Sequence, residues 1–158
     1  MAIQNTTALK QKTSRQYHNL VDSRNHIETR SLTADTALTK ADSGKVIFLD
    51  AAAGLTVTLP SLAEAGAGWN ARIVVSTNIS SNTGVITENT AADTDVLVTQ
   101  INELETDTND DGPSNTGHTT ITLANALDTV GDFFDIVCSG TKFFVTGQTA
   151  LDGGAALA

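Results

Sequence analysis

With 158 residues, 40% of them apolar and only 4% aromatic, the chain has material for one domain with a modest core. A formal net charge of −9 argues against a nucleic-acid-binding body, because phosphate backbones are captured by clustered Lys and Arg. The single cysteine, Cys138, excludes an intrachain disulfide and a cysteine-based zinc site, and no apolar run approaches the ~20 residues of a membrane-spanning helix.

The charge is unevenly spread. Residues 1–45 hold seven basic and four acidic side chains, whereas only Arg72 and Lys142 oppose fourteen acids in the remainder. Such asymmetry marks a partner-binding arm. Residues 1–30 read as that arm, because polar and basic residues dominate and the apolar ones are too scattered to close a core. Ile3, Leu9, Tyr17, Leu20 and Ile27 are the candidate apolar anchors, and Lys10, Lys12, Arg15, Arg24 and Arg30 the candidate partners of acidic patches. The competing reading of the same composition is a disordered tail. The N-terminus shows no apolar signal-peptide segment, so a soluble chain that is not exported by a classical signal is expected.

From Leu32 onward the pattern changes to short strands and turns. Residues 46–49 (VIFL) and 55–59 (LTVTL) read as strands separated by a turn ending at Gly54, the second with strict alternation closed by Pro60. Residues 61–68 permit one helical turn before their glycines stop it. Residues 72–76 (RIVVS) and 84–87 (GVIT) read as a pair of strands, followed by 96–101 (VLVTQI), 119–124 (TTITLA), 133–138 (FFDIVC) and 142–146 (KFFVT). The last two are joined by the tight connection Ser139-Gly140-Thr141. Residues 31–149 therefore predict an all-β body, a sandwich or barrel-like arrangement of about eight short strands, preceded by the extended arm. Alternation places Val46, Phe48, Leu55, Val57, Leu59, Ile73, Val75, Val98, Ile121, Leu123, Phe134, Ile136 and Val145 inside. Residues 150–158 read as a C-terminal tail.

Chemistry-bearing motifs are sparse. Asp107-Thr108-Asn109-Asp110-Asp111-Gly112 fits the opening of a calcium loop, but His118 stands where the bidentate Glu belongs, so a solvated acidic loop is expected. Two of the three histidines, His18 and His26, lie in the arm, and no paired metal-ligand motif or nucleophile elbow is present. Cys138 reads as a buried thiol inside a strand. Sugar-binding sites favour aromatic platforms, and the chain has one Trp, Trp69, and one Tyr, Tyr17. No catalytic residue, cofactor or metal is expected.

The stretch from Leu32-Thr33-Ala34-Asp35 through Ser43-Gly44-Lys45-Val46-Ile47-Phe48-Leu49-Asp50-Ala51-Ala52-Ala53-Gly54-Leu55-Thr56-Val57-Thr58-Leu59-Pro60, together with Gly131-Asp132-Phe133-Phe134-Asp135-Ile136-Val137-Cys138-Ser139-Gly140-Thr141-Lys142-Phe143-Phe144-Val145-Thr146-Gly147, resembles the head decoration, or cement, proteins of tailed phages. The resemblance covers roughly residues 32–147 and leaves the arm unmatched. It implies a non-enzymatic homo-oligomer, with a trimer favoured, on the outer surface of a virion capsid where major capsid protein subunits meet. Similar patterns occur in tail and fibre modules, and a virion module that contacts a receptor or glycan is the alternative.

Overall fold

The computed structural model describes residues 27–104 and 113–158, and among these it is almost entirely β-strand and turn. Two sheets enclose one core. The first half of the chain winds between them: Thr29–Leu32 (β1), Lys45–Leu49 (β3) and Asn70–Val75 (β5) lie in the first sheet, and Thr36–Ala37 (β2), Thr56–Thr58 (β4) and Gly84–Thr87 (β6) in the second. Successive strands thus alternate sheets, and each pairs in parallel with the strand one turn earlier. This is a short parallel β-coil of three rungs. Its corners are made by a 3-10 turn at Lys40–Asp42 and by the four-residue helix Leu62–Ala65 (α1), whose N-terminus is capped by the Ser61 hydroxyl accepting from Glu64 N.

The second half closes the coil. Leu97–Glu103 (β7), Ser114–His118 (β8), Phe133–Cys138 (β10) and Phe143–Thr149 (β11) extend the first sheet to seven strands in the order β1-β3-β5-β10-β11-β7-β8. Thr120–Leu123 (β9) and Ala155–Leu157 (β12) complete the five-stranded order β12-β9-β6-β4-β2. The expected hairpin at Ser139-Gly140-Thr141 is present, with β10 and β11 antiparallel from Phe133 opposite Gln148 to Cys138 opposite Phe143.

Core packing follows cross-strand ladders. In the first sheet Ile47, Ile73 and Phe134 stand side by side, as do Leu32, Leu49 and Val75; in the second, Val57, Ile86 and Ile121 do the same, and all are buried. Each such side chain contributes about 1.5–3 kcal/mol when fully buried. Trp69 is buried too, its indole N–H donating to Thr39 O at 3.1 Å and its ring meeting Phe143 edge-on, with centroids 5.9 Å apart.

One ionic knot ties the first rung to the second. Asp42, 3% exposed, accepts from Arg30 with both carboxylate oxygens at 3.0 Å, from Lys45 Nζ at 3.3 Å and from Thr39 N at 3.0 Å. Burial alone would raise its pKa, but the Thr39, Arg30 and Lys45 hydrogen bonds together outweigh it and hold the carboxyl below its ordinary range.

Several expectations require correction. Val46, Phe48 and Val98 are not inside: β3 buries Ile47 and Leu49, and β7 buries Leu97, Thr99 and Ile101. Strand parity is the cause. Leu49 is aligned with Leu32 and Val75, and Leu97 with Phe143, so the opposite parity must face out. Residues 84–87 do not pair with 72–76, because the coil carries them to the other sheet. Twelve strands replace the expected eight among the described residues, the additional ones being short or polar segments that their neighbours recruit. The C-terminal segment is no loose tail: β12 pairs with β9, and Ala158 O accepts from Thr119 N and Thr120 N.

Gly147 shows how tightly the first sheet is closed. A Cβ there would lie 2.6 Å from Phe134 Cδ1 and 2.9 Å from Phe133 O. Gly147→Val should therefore cost about 1–3 kcal/mol or more through overpacking, seen as a lower urea midpoint, whereas an unchanged midpoint would mean that Phe134 can move aside.

Candidate functional site

The outward face of the seven-stranded sheet is where this fold departs from the usual division into an apolar inside and a polar outside. Strand register sorts its side chains into three rows that cross the strands. The first contains Phe48, Val74 and Phe133 on β3, β5 and β10, continued by Gln148 on β11 and Asn102 on β7. The second runs from Val46 through Arg72, Asp135 and Thr146 to Gln100. The third runs from Asn70 through Val137 and Phe144 to Val98 and Thr116. Phe48, Val74, Phe133 and Val98 are half-buried, while Val137 and Phe144 are 50% and 49% exposed.

The middle row carries the polar interaction that organises this face. Arg72 donates from Nε and Nη2 to the two oxygens of Asp135 at 2.7 and 2.6 Å, and its guanidinium lies 4.7 Å from the centroid of the Phe133 ring. The Asp135 hydrogen bond is the largest influence on Arg72 and raises its pKa further. Both side chains are substantially exposed, so the bridge adds little stability, but its bidentate geometry fixes the orientation of the guanidinium plane. It separates two apolar stripes. Two separate shallow pockets flank the stripe through Val137 and Phe144, one of about 420 Å³ lined by Ile27, Val46 and Val137 among others, and one of about 530 Å³ lined by Gln100, Thr116 and Phe144 among others.

Comparison with protein-family models, with curated proteins and with solved structures finds no match to this chain. Its own geometry must therefore carry the functional reading. Of the expected arm residues, Ile27 and Arg30 are described. Ile27 is 68% exposed and lines the smaller pocket, and Arg30 is engaged by Asp42 of its own chain. Ile3, Leu9, Lys10, Lys12, Arg15, Tyr17, Leu20 and Arg24 lie outside the described residues, as do His18, His26 and the acidic loop from Asp107 to Gly112. Trp69 is committed to the core, so it offers no surface platform for a sugar. Cys138 is a free, buried thiol, as expected. Among the described residues no group of three His, Cys, Asp or Glu side chains is placed to hold a metal ion.

Simple alternation does not reveal the outward stripes, because it assigns one apolar parity to each strand. The signal that could have found them is in the runs VIFL, FFDIVC and KFFV, where both parities carry apolar residues.

Beneath this face, His118 on β8 is buried, with Nε2 2.8 Å from Thr99 Oγ1 and Nδ1 without a hydrogen-bond partner among the described residues. Burial pushes its pKa below 6.5, and the charges of Glu88 and Asp95 oppose that without reversing it. The unfolded chain therefore accepts a proton that the folded chain refuses, and stability is lost as pH falls through about 6.5 toward the lower folded-state value. Urea unfolding at about pH 7.5 and 5.5 should show this loss, and His118→Gln should flatten it. An equal slope in the variant would assign the dependence to other groups.

Proposed function

We propose that the chain is a non-enzymatic structural protein of a virion that decorates the outer surface of a phage capsid by docking on major capsid protein subunits. The observation that carries this reading is the outward face of the seven-stranded sheet, where Phe48, Val74, Phe133, Val137, Phe144 and Val98 form two apolar stripes. Apolar side chains gathered on one face mark an interaction surface, whereas the same residues scattered singly would need no explanation. The bidentate Arg72–Asp135 pair between the stripes neutralises the middle of the face internally, so a partner need not supply a compensating charge there. The resemblance of residues 32–60 and 131–147 to head decoration proteins supports the same reading. So does the charge division between a basic N-terminal segment and an acidic body.

Such a protein gains strength from repetition. A contact of about 1,600 Å² of total buried surface can be modest in affinity and still reinforce a shell when symmetry multiplies it. Homo-oligomerisation, with a trimer favoured, belongs to the same proposal. The glycan-contacting fibre module has less support, since the sole Trp is in the core.

Virions whose genome encodes this chain should carry many copies over the head, visible by electron microscopy and lost when the gene is deleted. A few copies at the tail would refute the decoration reading. Native protein added back to the deleted particles should bind them, and the double variant Phe48→Thr, Phe133→Thr should bind about a hundredfold more weakly while keeping its β-sheet circular dichroism spectrum. Threonine retains strand propensity, so undiminished binding by the folded variant would remove this stripe from the interface.

A further inference from the structure

The outward face of the seven-stranded sheet changes its chemistry from one side to the other. Strands β3, β5 and β10 present Phe48, Val74, Phe133 and Val137, whereas β11, β7 and β8 present Thr146, Gln100 and Ser114 in one row and Phe144, Val98 and Thr116 in the next. These last six line the pocket of about 530 Å³. Two strand spacings by two residues of rise give its floor a size of about 10 by 7 Å. Phe144 is 49% exposed, and Gln100, Ser114, Thr116 and Thr146 are exposed as well. Thr116 N is held by Asn115 Oδ1 at 2.8 Å, while the polar side chains of the floor are engaged by no described residue. We propose that this pocket binds an uncharged saccharide, seating one pyranose ring against Phe144.

The two rows answer the two sides of such a ring. A pyranose carries apolar C–H groups on its face and, around its edge, hydroxyls that both donate and accept. Phe144 and Val98 offer an apolar surface to the first, and the Gln100 amide with the Ser114, Thr116 and Thr146 hydroxyls offers partners to the second. Charge narrows the ligand class. No Lys, Arg, Asp or Glu lines the pocket, although the chain carries a net charge of −9. Beyond Thr146 the polar row continues to Asp135 and Arg72, and these are committed to each other by two hydrogen bonds. A phosphate, a carboxylate or a cationic peptide therefore finds no free counter-charge on this floor. An apolar protein surface laid here would bury amide and hydroxyl groups without partners. The site goes beyond the capsid reading and does not rest on it, since the stripe of Phe48, Val74 and Phe133 stays with the capsid partner.

The test follows the amide NMR resonances of isotope-labelled, full-length protein during titration with methyl β-D-glucopyranoside, methyl β-D-galactopyranoside or N-acetyl-D-glucosamine, with sorbitol as an acyclic polyol. At least one pyranose should give saturable shifts around Gln100, Thr116 and Phe144, with a Kd of about a millimolar or weaker, as suits a shallow site. Phe144→Ala should weaken this binding about tenfold or more and Gln100→Ala about threefold, each with a dispersed spectrum that reports an intact fold. The variant Phe48→Thr, Phe133→Thr should bind the sugar as the parent does, which separates this site from capsid docking. Absence of saturable shifts with all three sugars up to about 100 mM would overturn the proposal. So would equal shifts with sorbitol, or undiminished binding by folded Phe144→Ala.

Discussion

The period of two along a strand, imposed on a coil whose rungs stack in register, is the constraint on which the other features rest. Once Ile47 and Ile73 face the interior beside Phe134, and Val57 faces it beside Ile86 and Ile121, every intervening residue of those strands must point outward. Phe48, Val74, Phe133 and Val137 are outside for this reason. They are not failed core residues. A slip of one position would bury Arg72 and Asp135 and expose Ile73 and Phe134, so the buried ladders and the outward pattern are selected together.

Parallel winding explains how a chain with so few aromatic residues sustains two sheets. Each rung repeats the positions of the one before it, so β-branched residues such as Ile47 and Ile73, or Val57 and Ile86, stack on their like. The coil needs corners, and the sequence supplies them with side chains that accept from backbone N–H groups. Asp42 does so at Thr39, Asp35 at Thr56, Asp93 at Leu62 and Glu88 at Asp95 and Val96. Much of the acidity that composition reveals is therefore structural. Glu88, 1% exposed, has both carboxylate oxygens satisfied by backbone donors.

A second buried carboxylate cluster joins loops at one end of the molecule. Asp128 accepts from Ile79 N at 2.7 Å, and Asp132 accepts from Thr129 N and Ala150 N at 2.8 and 2.9 Å. Burial is the main reason that the Asp132 pKa is raised; its backbone hydrogen bonds oppose this, and the Asp128 charge reinforces it. The ionised Asp132 carboxylate is a cost to the fold at neutral pH, and that cost is relieved as pH falls through the raised value toward the ordinary carboxyl value of 3.8, the reverse of Asp42. The two effects and that of His118 make the acid response of this protein a balance among particular sites. Its net charge alone would not describe it.

The sequence by itself determined the fold class, the hairpin at Ser139-Gly140-Thr141, the interior places of Leu55, Val57, Leu59, Ile121 and Leu123, and the burial of Cys138, because alternation, turn chemistry and β-branched composition are local properties. It did not determine which parity of VIFL or of VLVTQI is inside, since both parities there are apolar or nearly so and only the neighbouring strands choose between them. The alternation of sheets along the chain was equally hidden: GVIT pairs as readily in principle with RIVVS as with LTVTL, and the corners at Asp42 and α1 decide the matter. The candidate surface depends on the same decision. Phe48, Val74 and the hairpin that carries Phe133, Val137 and Phe144 lie far apart in sequence, and strand pairing, which is long-range, is what brings them onto one face.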